Sequence, residues 1–174
     1  MEPLEPDDYS RYSTKPVPCD PWDPQTKVVA HKLLLALEEL FVGLDVALLH
    51  MGSTALEIPG KNEVEVYILP ASGLWERVID ILTKVYGEPG YQSTEFFLYN
   101  TQLDGYDIEL IQMRGYASKV NKALFQYLAR NPAVCEEYVA IKRQYSHSKR
   151  EYQRHKEQFF ARIVRQIPDD DVPS

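Results

Sequence analysis

The stretch from His50 to Leu69, HMGSTALEIPGKNEVEVYIL, constrains the fold more than any other part of this chain. It opens on Gly52-Ser53, crosses a loop containing Pro59-Gly60, and enters a strand reading Glu63-Val64-Glu65-Val66-Tyr67. Successive side chains of a strand point to opposite faces, so Val64 and Val66 turn to a core while Glu63 and Glu65 share the other face. Two carboxylates aimed the same way repel each other, and a divalent cation between them turns that repulsion into ligation, because hard cations take oxygen ligands. The Gly-Ser upstream adds a backbone open to close approach and a hydroxyl, which is the chemistry a phosphate group requires.

On both sides of this stretch the pattern is that of a mixed α and β chain. Val29, Leu33, Leu34, Leu37 and Leu40 recur at helical spacing from Thr26, a candidate N-cap, to a stop at Gly43. Val46–Met51 is an apolar run suited to a buried strand that leads into Gly52. His50, inside it, either contacts phosphate or packs behind the loop. Leu74, Val78, Ile81, Leu82 and Val85 mark a second amphipathic helix. Glu95–Tyr99 and Tyr106–Ile111 read as two strands joined at Asp104-Gly105, a strong hairpin signal. Asp107 and Glu109 again share a face, opposite Ile108 and Leu110. From Ser118 onward three apolar stripes at helical spacing follow one another, interrupted near Asn131-Pro132 and His147-Ser148.

The Gly-Ser, the loop and the acid-x-acid strand resemble the nucleotidyltransferase superfamily related to DNA polymerase beta. More narrowly, His50, Gly52, Ser53, Thr54, Pro59-Gly60, Lys61 and Glu65 resemble the GrpB family, small proteins of the nucleotidyltransferase fold. Two further stretches carry the same likeness: the entry Val17-Pro18-Cys19-Asp20-Pro21-Trp22, and the tail with Phe125/Leu128, Glu137-Tyr138/Lys142 and Tyr152/Lys156. The resemblance spans residues 17–167. It implies an α+β fold, a small mixed β-sheet packed against helices and followed by a C-terminal helical segment. In domain terms the expectation is a leader without regular structure over 1–16, one domain over 17–167, and an acidic tail over 168–174.

The resemblance also implies an activity: metal-dependent transfer of a nucleoside monophosphate from an NTP to a small-molecule or protein acceptor. Mg²⁺ or Mn²⁺ is the expected cofactor, since this chemistry uses two ions about 3.5–4 Å apart, held by carboxylates. Glu63, Glu65 and Asp107 are the expected metal ligands, and Asp107 and Glu109 the candidate catalytic acids, with Asp107 nearest the metals. Gly52 and Ser53 are expected to hold the triphosphate. Lys142 and Lys156, each four residues after a Tyr, are expected to contact its phosphates. The pair reads Glu-x-Glu where Asp-x-Asp is usual, so each arm is one methylene longer. Two readings without catalysis use the same fold: a nucleotide-binding regulatory module, and a protein-interaction adaptor.

Composition limits the alternatives. The chain has 174 residues, of which 44% are hydrophobic, enough for a real core. A net charge of −7 argues against nucleic acid or an anionic membrane as the main partner. Two cysteines are too few for a disulfide framework, no apolar run has the length to span a bilayer, and a cytoplasmic location is expected.

Overall fold

Helical spacing at Val29, Leu33 and Leu37 produces helix α1, Gln25–Leu40, with those three residues buried. The helix starts one residue before Thr26: Asp23 Oδ1 accepts from the Gln25 N–H at 2.9 Å, and the Thr26 hydroxyl donates to the Asp23 carbonyl at 2.6 Å. Asp23 therefore satisfies a first-turn donor in place of the expected Thr26 cap. Strand β1, Val46–Met51, follows and runs directly into a four-residue helix α2, Gly52–Ala55.

The acidic strand is β2, Val64–Pro70; Glu63 lies just before it. Helix α3, Trp75–Tyr86, leads to the short β3, Tyr91–Gln92, and then to the hairpin of β4, Phe96–Leu103, and β5, Tyr106–Met113. Asp104 and Gly105 turn the hairpin with φ of 53° and 85°, the left-handed pair that a two-residue loop demands. The sheet order is β1-β2-β5-β4-β3, with β2 and β5 parallel and the other pairs antiparallel.

Alternation divides the sheet as the sequence indicates. Val64, Val66 and Ile68 of β2, Ile108 and Leu110 of β5 and Tyr99 of β4 join Leu33 and Leu37 of α1 and Val78 and Leu82 of α3 in one buried cluster. Glu65, Tyr67 and Glu109 lie on the opposite face.

The computed structural model describes residues 6–167, and the chain divides into two compact units. The sheet unit comprises 22–57 and 62–118; the helical unit comprises 58–61 and the described parts of 1–21 and 119–174. Helix α4, Gly115–Arg130, starts in the first and continues into the second. Helices α5, Pro132–Tyr145, and α6, Lys149–Val164, follow, with Pro132 in the first turn of α5 and the Ser148 hydroxyl capping α6 at Glu151 N.

Near the N-terminus the structure departs from the expected leader. Pro6–Arg11 forms a 3-10 helix, Tyr9 is only 2% exposed, and its hydroxyl donates to Glu157 Oε2 at 2.9 Å. Arg150 donates to the carbonyls of Ser10 and Tyr12. Aromatic burial and these main-chain bonds order a segment whose Pro, Asp and Ser content reads as irregular. Residues 1–5 of the expected leader, and the acidic tail 168–174, lie outside the described residues.

Candidate functional site

The parallel ladder between β2 and β5 pairs Glu65 with Glu109, so the two glutamates leave neighbouring strands on one sheet face. Both are half-buried. Tyr67, two residues on from Glu65 and paired with Ile111, shares that face and is buried. Burial, and then the negative charges of Glu65 and Glu109, hold the Tyr67 phenol far above its ordinary value of 10.0, so at neutral pH it keeps its proton. Tyr67 closes the strand that the sequence marks as acidic, and the alternation that pairs Glu63 with Glu65 also places Tyr67 beside them.

The turn from β1 into α2 brings Gly52 to the same place. Met51, the last residue of β1, pairs with Glu65, and the chain then turns through Gly52 at φ +75°. A Cβ at Gly52 would lie 2.3 Å from Glu65 Oε1, 2.5 Å from its Cδ and 2.9 Å from Oε2. The space beside the Gly52 Cα, read from sequence as room for phosphate, is filled by the Glu65 carboxylate. Ser53 follows as the second residue of α2 and is half-buried.

His50 supports this turn from behind. Its Nε2 lies 2.9 Å from Thr54 Oγ1, and the Thr54 hydroxyl donates to the Glu63 carbonyl at 3.1 Å. Thr54 has a single proton and spends it on Glu63, so His50 donates from Nε2. Burial, and then the nearby Lys27 charge, hold His50 below its ordinary value, which agrees with a neutral imidazole. Of the two readings of His50, the structure shows packing behind the loop. Glu57, in the loop after α2, is ion-paired with Lys27 at 2.5 Å.

The expected ligand set of Glu63, Glu65 and Asp107 does not close into a cluster. Among the described residues, no group of three or more His, Cys, Asp or Glu side chains is placed to hold a metal ion. Glu63 precedes the ladder, and Asp107 precedes the first paired residues, Val64 and Ile108. Asp107 is exposed and accepts from Gln102 Nε2 at 2.9 Å across the β4–β5 hairpin. The strand register thus pairs Glu109, two residues on from Asp107, with Glu65. The Glu65–Glu109 pair offers half-buried oxygen donors on neighbouring strands, a donor set that fits a hard divalent ion.

In the helical unit, Lys142 and Lys156 repeat one local geometry. The Lys142 ammonium lies 5.1 Å from the centroid of the Tyr138 ring, and that of Lys156 lies 5.6 Å from the Tyr152 ring. Four-residue spacing on a helix puts each ammonium over the tyrosine one turn back. The two tyrosine hydroxyls meet at 3.2 Å, which joins α5 to α6. Tyr138 is buried and stacks on Phe159 with centroids 5.7 Å apart, so it is a core residue. Lys142 is itself only 5% exposed and donates to the Pro59 carbonyl at 2.9 Å. Gly60 is fixed in the same loop by two main-chain hydrogen bonds with Asp20, both 2.9 Å.

A mixed sheet with a Gly-Ser turn feeding an acid-bearing strand, beside a second acid-bearing strand, is a nucleotidyltransferase-like arrangement. A solved structure titled "structure of GLD-2/RNP-8 complex" superimposes with a TM-score of 0.52 at 13% identity, covering 91% of this chain. At that identity the likeness is one of fold, and the chain matches 62% of the other's length. No curated protein matches this sequence. The family model described as GrpB protein matches residues 16–166, and the chain belongs to the GrpB family. Among the described residues no helix is long and apolar enough to cross a membrane.

Proposed function

We propose that this protein transfers a nucleoside monophosphate from an NTP to an acceptor, with Mg²⁺ or Mn²⁺ as its cofactor. The observation that carries this reading is the pairing of Glu65 with Glu109 beside the Gly52-Ser53 turn. In the reaction an acceptor oxygen or nitrogen forms a bond to the α-phosphorus while the bond from that phosphorus to the bridging oxygen breaks, and pyrophosphate leaves. A divalent ion bound at the site supplies charge neutralisation for the triphosphate. Glu65 and Glu109 are the carboxylates that hold it. Ser53 donates its hydroxyl to a phosphate oxygen, Glu63 extends the negative edge of the site, and a carboxylate of the acidic face takes the acceptor's proton.

The test is pyrophosphate release from each of the four NTPs with Mn²⁺, over a panel of hydroxyl and amine acceptors. Release that disappears in Glu109→Gln supports the proposal. Metal-dependent NTP binding without release on any acceptor supports a nucleotide-binding module instead. That second reading is favoured by the lack of a three-carboxylate group among the described residues. No NTP binding with either metal leaves the adaptor reading.

A further inference from the structure

We propose that Gly52 is a positioning residue for Glu65: its bare Cα is the seat against which the longer glutamate arm is held. In its metal role this rests on the function proposed above. Gly43, Gly73, Gly87 and Gly105 also have positive φ, but a Cβ at any of them would meet nothing within 4 Å, so conformation alone accounts for them. Gly52 is different. A Cβ there would overlap all three atoms of the Glu65 carboxylate, the nearest at 2.3 Å.

Gly115 has the same arrangement at the start of α4. It has φ +62°, a Cβ there would lie 2.2 Å from Glu95 Oε1, and Glu95 Oε2 accepts from the Ala117 N–H at 3.4 Å. Among the described residues, a positive-φ glycine opening a helix thus takes a glutamate carboxylate against its Cα at both Gly52 and Gly115. At α4 the contact lies outside the acidic face, so it belongs to the local geometry of such a turn. At α2 the same geometry acts on Glu65, which the parallel ladder sets beside Glu109.

The length of the Glu65 arm matters here. An aspartate would withdraw the carboxylate by about 1.5 Å, one carbon–carbon bond, and would leave the seat empty. The additional methylene of a Glu-x-Glu pair otherwise adds a rotatable bond and loosens a ligand. Pressing the carboxylate against Gly52 restores a fixed position. Gly52 therefore serves the carboxylate side of the site, where the sequence suggested only an approach for phosphate.

A double-mutant cycle tests this, because the backbone strain of placing Ala at φ +75° is common to every background and cancels. Gly52→Ala, Glu65→Asp and the double variant are compared with the wild-type chain by urea midpoint and by binding of MnCl₂ alone. The expected result is a large fall in midpoint for Gly52→Ala that shrinks to about half or less when Glu65 is Asp. Mn²⁺ affinity is expected to fall about tenfold in Gly52→Ala and to recover in the double variant. An equal midpoint drop in both backgrounds overturns the proposal, as does unchanged Mn²⁺ affinity in Gly52→Ala. If Gly52→Ala alone does not fold, a cooperative transition regained by Gly52→Ala/Glu65→Asp supports it, and failure of both overturns it. A wild-type chain that binds no Mn²⁺ defeats the metal role, whereas the Gly52–Glu65 contact stands or falls on the midpoints, so the two failures are distinguishable.

Discussion

Lys142 Nζ donates to the main-chain carbonyl of Pro59 at 2.9 Å, a bond between residues 83 positions apart in the chain. With the two Asp20–Gly60 bonds it fixes the Pro-Gly loop, which belongs to the helical unit although it interrupts the sequence of the sheet unit. Lys142→Met keeps most of the buried stem and removes the donor, leaving a loop carbonyl short of its partner. The expected cost is about 1–3 kcal/mol in urea unfolding, the penalty of an unsatisfied buried polar group. Lys156 is half-buried, so Lys156→Met is expected to cost less stability than Lys142→Met. Equal stability of wild type and Lys142→Met would remove the latch.

The His50–Thr54–Glu63 relay has a pH signature. His50 is held below its ordinary value of 6.5 by burial first and by Lys27 second. As the pH falls through 6.5 the unfolded chain takes up a proton that the folded chain does not, so stability decreases toward acid. His50→Gln keeps a donor for Thr54 and cannot titrate. The urea midpoint of wild type is expected to fall more between neutral pH and pH about 5 than that of His50→Gln. Parallel curves for the two proteins would count against a neutral buried imidazole.

Most of this architecture can be read from the sequence because it rests on local periodicity. The period of two in β2 and β5, the helical stripes of α1, α3, α5 and α6, and the Asp104-Gly105 turn each depend on near neighbours in the chain. The choice between Asp107 and Glu109 does not. Both share a face, and only the register between two strands whose paired residues are distant in sequence decides which stands beside Glu65. The role of Gly52 depends equally on a partner in β2, and that of Lys142 on a loop carbonyl. A side chain type indicates what a residue can bind, but not which distant backbone group reaches it first. The N-terminal segment was hidden for another reason: Tyr9 is a single aromatic anchor in polar surroundings, and periodicity cannot register one residue.

Tyr67 provides an alkaline test of the acidic face. Its phenol is held above 10.0 by burial and by Glu65 and Glu109, whereas in the unfolded chain it ionises near that value. Above pH 10 the unfolded state therefore loses a proton that the folded state keeps, and stability falls as pH rises. One such group contributes a slope of about 1.4 kcal/mol per pH unit until it ionises in the folded state. Tyr67→Phe is expected to flatten the fall in urea stability above pH 10 by about one proton. An unchanged slope would mean that Tyr67 already ionises in the folded protein.

Glu109 and Asp107 are separated by one residue, and the ladder gives them different environments. Glu109 pairs with Glu65, while Asp107 is exposed and tied to Gln102. If transfer uses the paired carboxylates, Glu109→Gln and Glu65→Gln should each reduce pyrophosphate release about 10²-fold or more, the scale of losing one preorganised charge contact in a transition state. Asp107→Asn changes an exposed group and keeps an acceptor for Gln102, so release should stay within about twofold of wild type. Mn²⁺ titration of the same variants separates metal loss from a failed proton transfer. Glu109→Gln should weaken Mn²⁺ binding together with release, because a ligand has gone. A variant that binds Mn²⁺ like wild type but releases no pyrophosphate would instead make Glu109 the proton acceptor. The reverse ranking, with Asp107→Asn inactive and Glu109→Gln active, would show that the working site uses a strand register other than Glu65 beside Glu109.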